Sequence, residues 1–236
     1  MKYFIDTEFI EGFKKPLFGK RRHFIDLISI AIVAEDGRSY YAISNEYKYR
    51  DADDWVKENV IVPLYIETDH GDRRKYCDAD TFQYAYGKSN SQIAKEIYHF
   101  CKPNETRAIN AGIDAIIGNI DPNIEFYGYY ADYDWVLFCS LFGRMINLPK
   151  GFPMYCRDLK QMLDEKAETF TSEQLSKFEY PTVTHNVLQY LDNIGKIVKV
   201  DHLKRHKDYP KQENEHSALD DAKWNKKLYD FIQKLA

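Results

Sequence analysis

Apolar residues along the chain fall into short runs separated by polar turns. Tyr3–Ile5 is a compact apolar run that stops at Asp6. Leu27–Val33 is rich in Ile and Val, and Ser39–Ile43 follows the pair Asp36-Gly37. A two-residue Asp-Gly connection is a strong hairpin signal, so these runs predict three strands, with the second and third antiparallel neighbours. Asp53 and Asp54 are suited to cap a helix that carries Trp55, Val56 and Val60. Ile93, Ile97, Phe100 and Cys101 recur at helical spacing. Glu125–Tyr130 reads as a strand that passes through Ala131-Asp132-Tyr133 into a helix over Asp134–Phe142, ended by Gly143. Met154–Arg157 predicts another strand, followed by a helix over Asp158–Leu163. A final helix runs over about Ser217–Leu235, with Ala218, Ala222, Leu228, Phe231, Ile232 and Leu235 available for burial. An antiparallel start followed by alternating helices and strands predicts one mixed-sheet α/β domain over residues 1–236. Two polar stretches, about 65–92 and 165–211, read as insertions into it.

Composition adds little to that picture. The 236 residues are 44% hydrophobic and 30% charged, as in soluble globular proteins. The net charge of −4 gives no sign of a nucleic-acid partner. It does not oppose one either, because a carboxylate-rich site adds negative charge while a local basic patch can still hold phosphates. Lys196, Lys199, Lys204, Arg205, Lys207 and Lys211 form one basic segment, and Lys20-Arg21-Arg22-His23 reads as a basic loop before the second strand. The four cysteines form no CxxC pair and are expected to be reduced thiols. MKYFIDTEF carries acids where a signal peptide needs an apolar core, and no run approaches the roughly 20 apolar residues that span a membrane. A cytoplasmic protein with no membrane partner is expected. The 19 Tyr and 14 Phe serve core packing first, and some could stack on bases.

Three acidic positions change the picture. Asp6 and Glu8 are two apart, so a strand places both side chains on one face. Alone they could be strand-end acids in solvent. Held together between apolar neighbours, they are costly unless a hard cation such as Mg²⁺ or Mn²⁺ neutralises them. Asp134 lies between a strand and an apolar helix, where it could cap the helix or hold a metal. His216-Ser217-Ala218-Leu219-Asp220-Asp221-Ala222 puts a histidine just before the last helix and an acid five residues later. Ala218 and Ala222 leave one face of that helix small enough for a close approach.

Asp6-x-Glu8, Tyr133-Asp134 and His216-x-Ala218-x-x-Asp221-Ala222 resemble, in order, the three motifs of DEDDh-type 3′→5′ exonucleases. Tyr3–Glu11, Leu27–Ile30, Val33–Arg38, Tyr40–Ala42, Trp55–Val60 and Leu141–Met145 are similar to the polyadenylate-specific, RNase AS-like branch. The resemblance implies an RNase H-like mixed five-stranded sheet, three antiparallel strands first, flanked by helices. It implies two Mg²⁺ or Mn²⁺ ions, with Asp6 bridging both, Glu8 and Asp221 completing one and Asp134 supporting the other. It makes His216 the general base. The family pattern selects Asp134 over Asp132, and the spacing from His216 selects Asp221 over Asp220. Phe9 could stack on the terminal base. The implied activity is release of nucleoside 5′-monophosphates from single-stranded 3′ ends, RNA favoured and adenylate preferred, by a homodimer. A DNA exonuclease and a catalytically silent nucleic-acid-binding module on the same fold are the alternatives.

Overall fold

In the computed structural model, residues 1–14, 19–64, 83, 85–102, 124–171, 201 and 203–235 are described. Alternation explains the centre of the sheet. In β1 (Lys2–Lys14), Tyr3 and Ile5 face one apolar cluster and Phe4 faces another. β2 (Arg22–Ala34) does the same, with Ile30, Ile32 and Ala34 on one side and Ala31 and Val33 on the other. Both strands are therefore buried on two faces, which explains their near-continuous apolar runs. β3 (Ser39–Ile43) pairs antiparallel with β2 across the expected Asp36-Gly37 turn, where Gly37 takes a positive φ of 90°.

The order is β3-β2-β1-β4-β5. β4 (Glu125–Gly128) runs parallel to β1, and β5 (Arg157–Asp158) runs parallel to β4. This is the mixed five-stranded α/β sheet, three antiparallel strands first, that the RNase H-like resemblance implies. An α turn, α1 (Asp54–Val56), widens into a π-helical stretch, Lys57–Ile61, and buries Val60 and Ile61 against Ile10, Ile28 and Ile43. α2 (Asn90–Cys101) and α3 (Asp132–Leu141) cover one face of the sheet. α4 (Leu159–Glu168) and α5 (Ala218–Lys234) cover the other.

Several boundaries differ from the sequence reading. β1 does not stop at Asp6 but continues to Lys14, so Asp6 and Glu8 lie within the strand. Polar residues can continue a strand wherever a neighbour completes its backbone hydrogen bonds, and β2 does so to the end of β1. His23 accordingly lies in β2, opposite Phe13, and not in a loop. The strand expected at Met154–Arg157 is only Arg157–Asp158, and Met154 and Tyr155 are exposed. Of the two insertions, residues 65–82, 84, 172–200 and 202 lie outside the described residues, and Lys196 and Lys199 fall among them. Ala167 and Leu203, inside the expected second insertion, are buried in the core.

Candidate active site

The carboxylates converge where β1 passes beneath the start of α5. Asp6 and Glu8 project from one face of β1, and Asp221 comes from the first turn of α5. One carboxylate oxygen from each lies within 4.8 Å of the others. α5 reaches this position because its inward stripe is built for close approach. Ala218 and Ala222 are buried, and one turn on, Asn225 donates its side-chain N–H to the backbone oxygen of Ile5 at 2.9 Å. Asn225 lies four residues after Asp221, on the same helix stripe, so helical spacing could have flagged it.

Asp134 arrives from the other side of the sheet. It is buried in the first turn of α3, not at the cap, which is Ala131. The backbone N–H of Thr7 donates to its Oδ1 at 2.9 Å, and the Thr7 hydroxyl donates to the same oxygen at 2.5 Å. Thr7 stands between Asp6 and Glu8 and points to the opposite face, so one strand segment presents carboxylates on one side and grips Asp134 on the other. Two devices place α3. Asp158 Oδ2 accepts from the Ala131 N–H at 2.9 Å while its Oδ1 caps α4 through Gln161. Gly128 lets the turn fold tightly, since a Cβ there would meet the Ala131 Cβ at 2.8 Å. Asp132, the alternative acid, is exposed.

Burial and mutual repulsion raise these acids together. Glu8 is pushed up to about 8, first by burial and then by Asp221 and Asp134. Asp6 is held well above the usual carboxylate range by burial, then by Asp134, Glu8 and Asp221. Burial carries Asp134 to about 6 against the lowering effect of the Thr7 hydrogen bonds. Asp221 is also raised by burial, opposed by Gln212, which donates to its Oδ1 at 2.6 Å, and by the His216 N–H, which donates to Oδ2 at 3.2 Å. The groups that shift Asp6 and Glu8 are all acids. Among the described residues no Lys or Arg is paired with Asp6, Glu8 or Asp221, and an all-oxygen cluster of this kind fits a hard divalent cation.

His216 lies immediately before Ser217, the cap residue of α5, and is exposed with φ +71°. Its ring meets the half-exposed Trp55 edge to face, with centroids 4.8 Å apart. No sequence spacing announces that contact, because 160 intervening residues obscure it and only the tertiary fold brings α1 to α5. Phe9 is half-buried, 5.5 Å from the Tyr133 ring. Asp220 points away from the cluster and pairs with Lys223 at 3.0 Å and Asn214 at 3.2 Å. Cys101, Cys139 and Cys156 are free thiols.

The sequence profile of the 3′-5′ exoribonuclease Rv2179c-like domain family matches residues 1–233. The chain belongs to this family. Among curated relatives of this exoribonuclease-family chain are the 3′-5′ exoribonucleases MT2234.1 and Rv2179c of Mycobacterium tuberculosis, strains CDC 1551 / Oshkosh and H37Rv. Each is 31% identical over 166 residues, which is 70% of this chain and 76% of the relative. Among the described residues, no helix of this family member is long and apolar enough to cross a membrane.

Proposed function

We propose that this chain is a divalent-metal-dependent 3′→5′ exoribonuclease that shortens single-stranded RNA from its 3′ end, releasing nucleoside 5′-monophosphates with adenylate preferred. The observation that carries this reading is the cluster of Asp6, Glu8 and Asp221, with ligand atoms within 4.8 Å of one another, in a chain of an exoribonuclease family. Two Mg²⁺ or Mn²⁺ ions bound there would make water a better nucleophile and stabilise the leaving oxygen. Asp6, Glu8 and Asp221 would hold the ions, with Asp134 beside them on the other side of β1. His216 takes the proton of the attacking water as the water adds to the terminal phosphorus. The 3′ oxygen of the preceding nucleotide then leaves and takes up a proton from solvent. Gln212 and the His216 backbone N–H hold Asp221 in place for this work.

The test is a time course on 5′-labelled RNA and DNA strands carrying A, U, C or mixed 3′ tails, in Mg²⁺. A ladder that descends one nucleotide at a time, fastest on A tails of RNA, is the expected result. EDTA should stop it, and Asp6→Asn should remove nearly all turnover while the circular-dichroism spectrum is retained. Internal fragments at the first time point would establish an endonuclease instead. Equal rates on all tails would remove only the adenylate preference.

A further inference from the structure

Beyond Glu8 the hairpin leaves the sheet. β3 pairs with β2 only at Ser29–Val33, and β4 pairs with β1 only at Lys2–Phe4. Phe9–Lys14 and Arg22–Leu27 therefore pair only with each other among the described residues, as a two-stranded ribbon. Such a ribbon is marginal by itself, and its two faces differ here. One face is anchored: Ile10 is buried, the Phe24 ring lies against Gly12, and Lys14 pairs with Asp26 at 3.0 Å and Asp51 at 2.9 Å.

The other face carries a file of rings. Phe9, which follows Glu8, lies 5.5 Å from Tyr133, which precedes Asp134. Tyr133 lies 6.5 Å from His23, and His23 lies 5.5 Å from Phe13. The Arg21 guanidinium closes the file, 4.3 Å above the Phe13 ring. Phe13 is 57% exposed and Tyr133 43% exposed. Exposed aromatics on a solvent face lower solubility and contribute no core, so this arrangement calls for a partner with flat faces. The file begins beside two of the four carboxylates and ends in the cationic stretch Lys20-Arg21-Arg22. The one acid of β1 on this face, Glu11, is engaged by His23 at 3.2 Å. Stacking surfaces combined with cations are what a flexible single strand recognises, without regard to base.

We propose that this face of the ribbon is a binding track for the stretch of single-stranded RNA upstream of the scissile bond. The proposal rests on the nuclease reading above. Bases stack along Phe9, Tyr133, His23 and Phe13, and Arg21 meets the backbone at the far end. A strand long enough to reach Phe13 and Arg21 then binds more tightly than one that fills only the carboxylate site.

The experiment compares kcat/KM on a trinucleotide and on a strand of about fifteen nucleotides with the same 3′ sequence. The parent protein should favour the long strand. Phe13→Ala combined with Arg21→Ala should lower kcat/KM on the long strand about 5- to 100-fold, chiefly through KM, so that the ratio between the two lengths falls towards one. Phe13→Trp, which keeps a stacking face, should restore most of the ratio. Arg21→Ala alone should make long-strand binding less sensitive to salt. A ratio unchanged in the double variant, or an equal loss on both lengths, would overturn the track. So would a parent protein that cuts both lengths equally well, which would leave the nuclease reading standing. A parent that cuts neither overturns both.

Discussion

His216 is held at φ +71° in a conformation that few non-glycine residues adopt, with its N–H bonded to Asp221 and its ring against Trp55. Backbone strain of this kind persists only where the surroundings enforce it, and it is concentrated at working sites. Replacing the ring should leave the helix start intact. His216→Ala is expected to lower turnover by roughly 10²–10⁴-fold, the span of a general base, while Mn²⁺ binding by calorimetry is retained. A variant as fast as the parent at neutral pH would mean that His216 is structural. Thr7 governs Asp134 in a comparable way. Thr7→Val removes the hydroxyl that donates at 2.5 Å but keeps the backbone donor. Loss of one hydrogen bond to a buried carboxylate costs roughly 1.5–3 kcal/mol, so turnover or metal affinity should fall about tenfold or more, and Thr7→Ser should recover it. Equal kinetics for Val and Ser would show that the hydroxyl has no part in holding Asp134.

At the scale of the element, the site depends on how closely two helices approach β1. α5 does so through Ala218, Ala222 and the Asn225 tether. α3 depends on the turn after β4, where Gly128 has the Ala131 Cβ and the Ile5 carbonyl beside it. Gly128→Val would overpack that turn at a cost of about 1–3 kcal/mol and push Asp134 away from Thr7. The expected result is a lower urea midpoint together with weaker Mn²⁺ binding. A variant that loses stability while keeping parental metal affinity would separate the turn from the site. The Asp158 side chain ties α4 to the same turn, so a shift there is shared between two helices.

For the whole molecule, the crowded, largely desolvated acids make stability depend on pH and metal together. Their folded pKa values lie above the unfolded ones, so the folded chain keeps protons that the unfolded chain has released. Without metal, that contribution is complete below the ordinary carboxylate range. It is lost as pH rises through about 6 for Asp134 and about 8 for Glu8. The metal-free protein should therefore lose thermal stability between pH 5 and 9, on the order of 10 °C in Tm from these groups. Mg²⁺ or Mn²⁺ should restore most of the loss at the alkaline end, because cation binding stabilises the folded state. A metal-free melting temperature that rises over this range would contradict the raised pKa values of Asp134 and Glu8. The family resemblance implies a homodimer, the commonest closed assembly, and Val136, Ile146 and Met154 are exposed apolar residues that such an interface could cover. Light scattering at micromolar concentration should then give twice the 27.9 kDa of one chain, and a monomer mass would remove that proposal.

Much of this protein was legible before any tertiary contact was known. The antiparallel start followes from the Ile- and Val-rich runs and Asp36-Gly37, because strand burial and hairpin turns are local properties of sequence. Asp6 and Glu8 on one face follow from period two, and the small stripe of α5 follows from four-residue spacing. The family motifs then singled out Asp134, Asp221 and His216. Other features depended on partners distant in the chain. β1 runs on to Lys14 because β2 supplies hydrogen bonds to polar residues that no apolar pattern would extend. Thr7 grips Asp134, and Asn225 anchors α5 to Ile5, because the fold brings together groups 127 and 220 residues apart. Trp55 meets His216, and Tyr133 bridges Phe9 and His23, through the same long-range packing. Local patterning sets which face a side chain occupies, whereas side-chain partners across the sheet are set by how the layers close on one another.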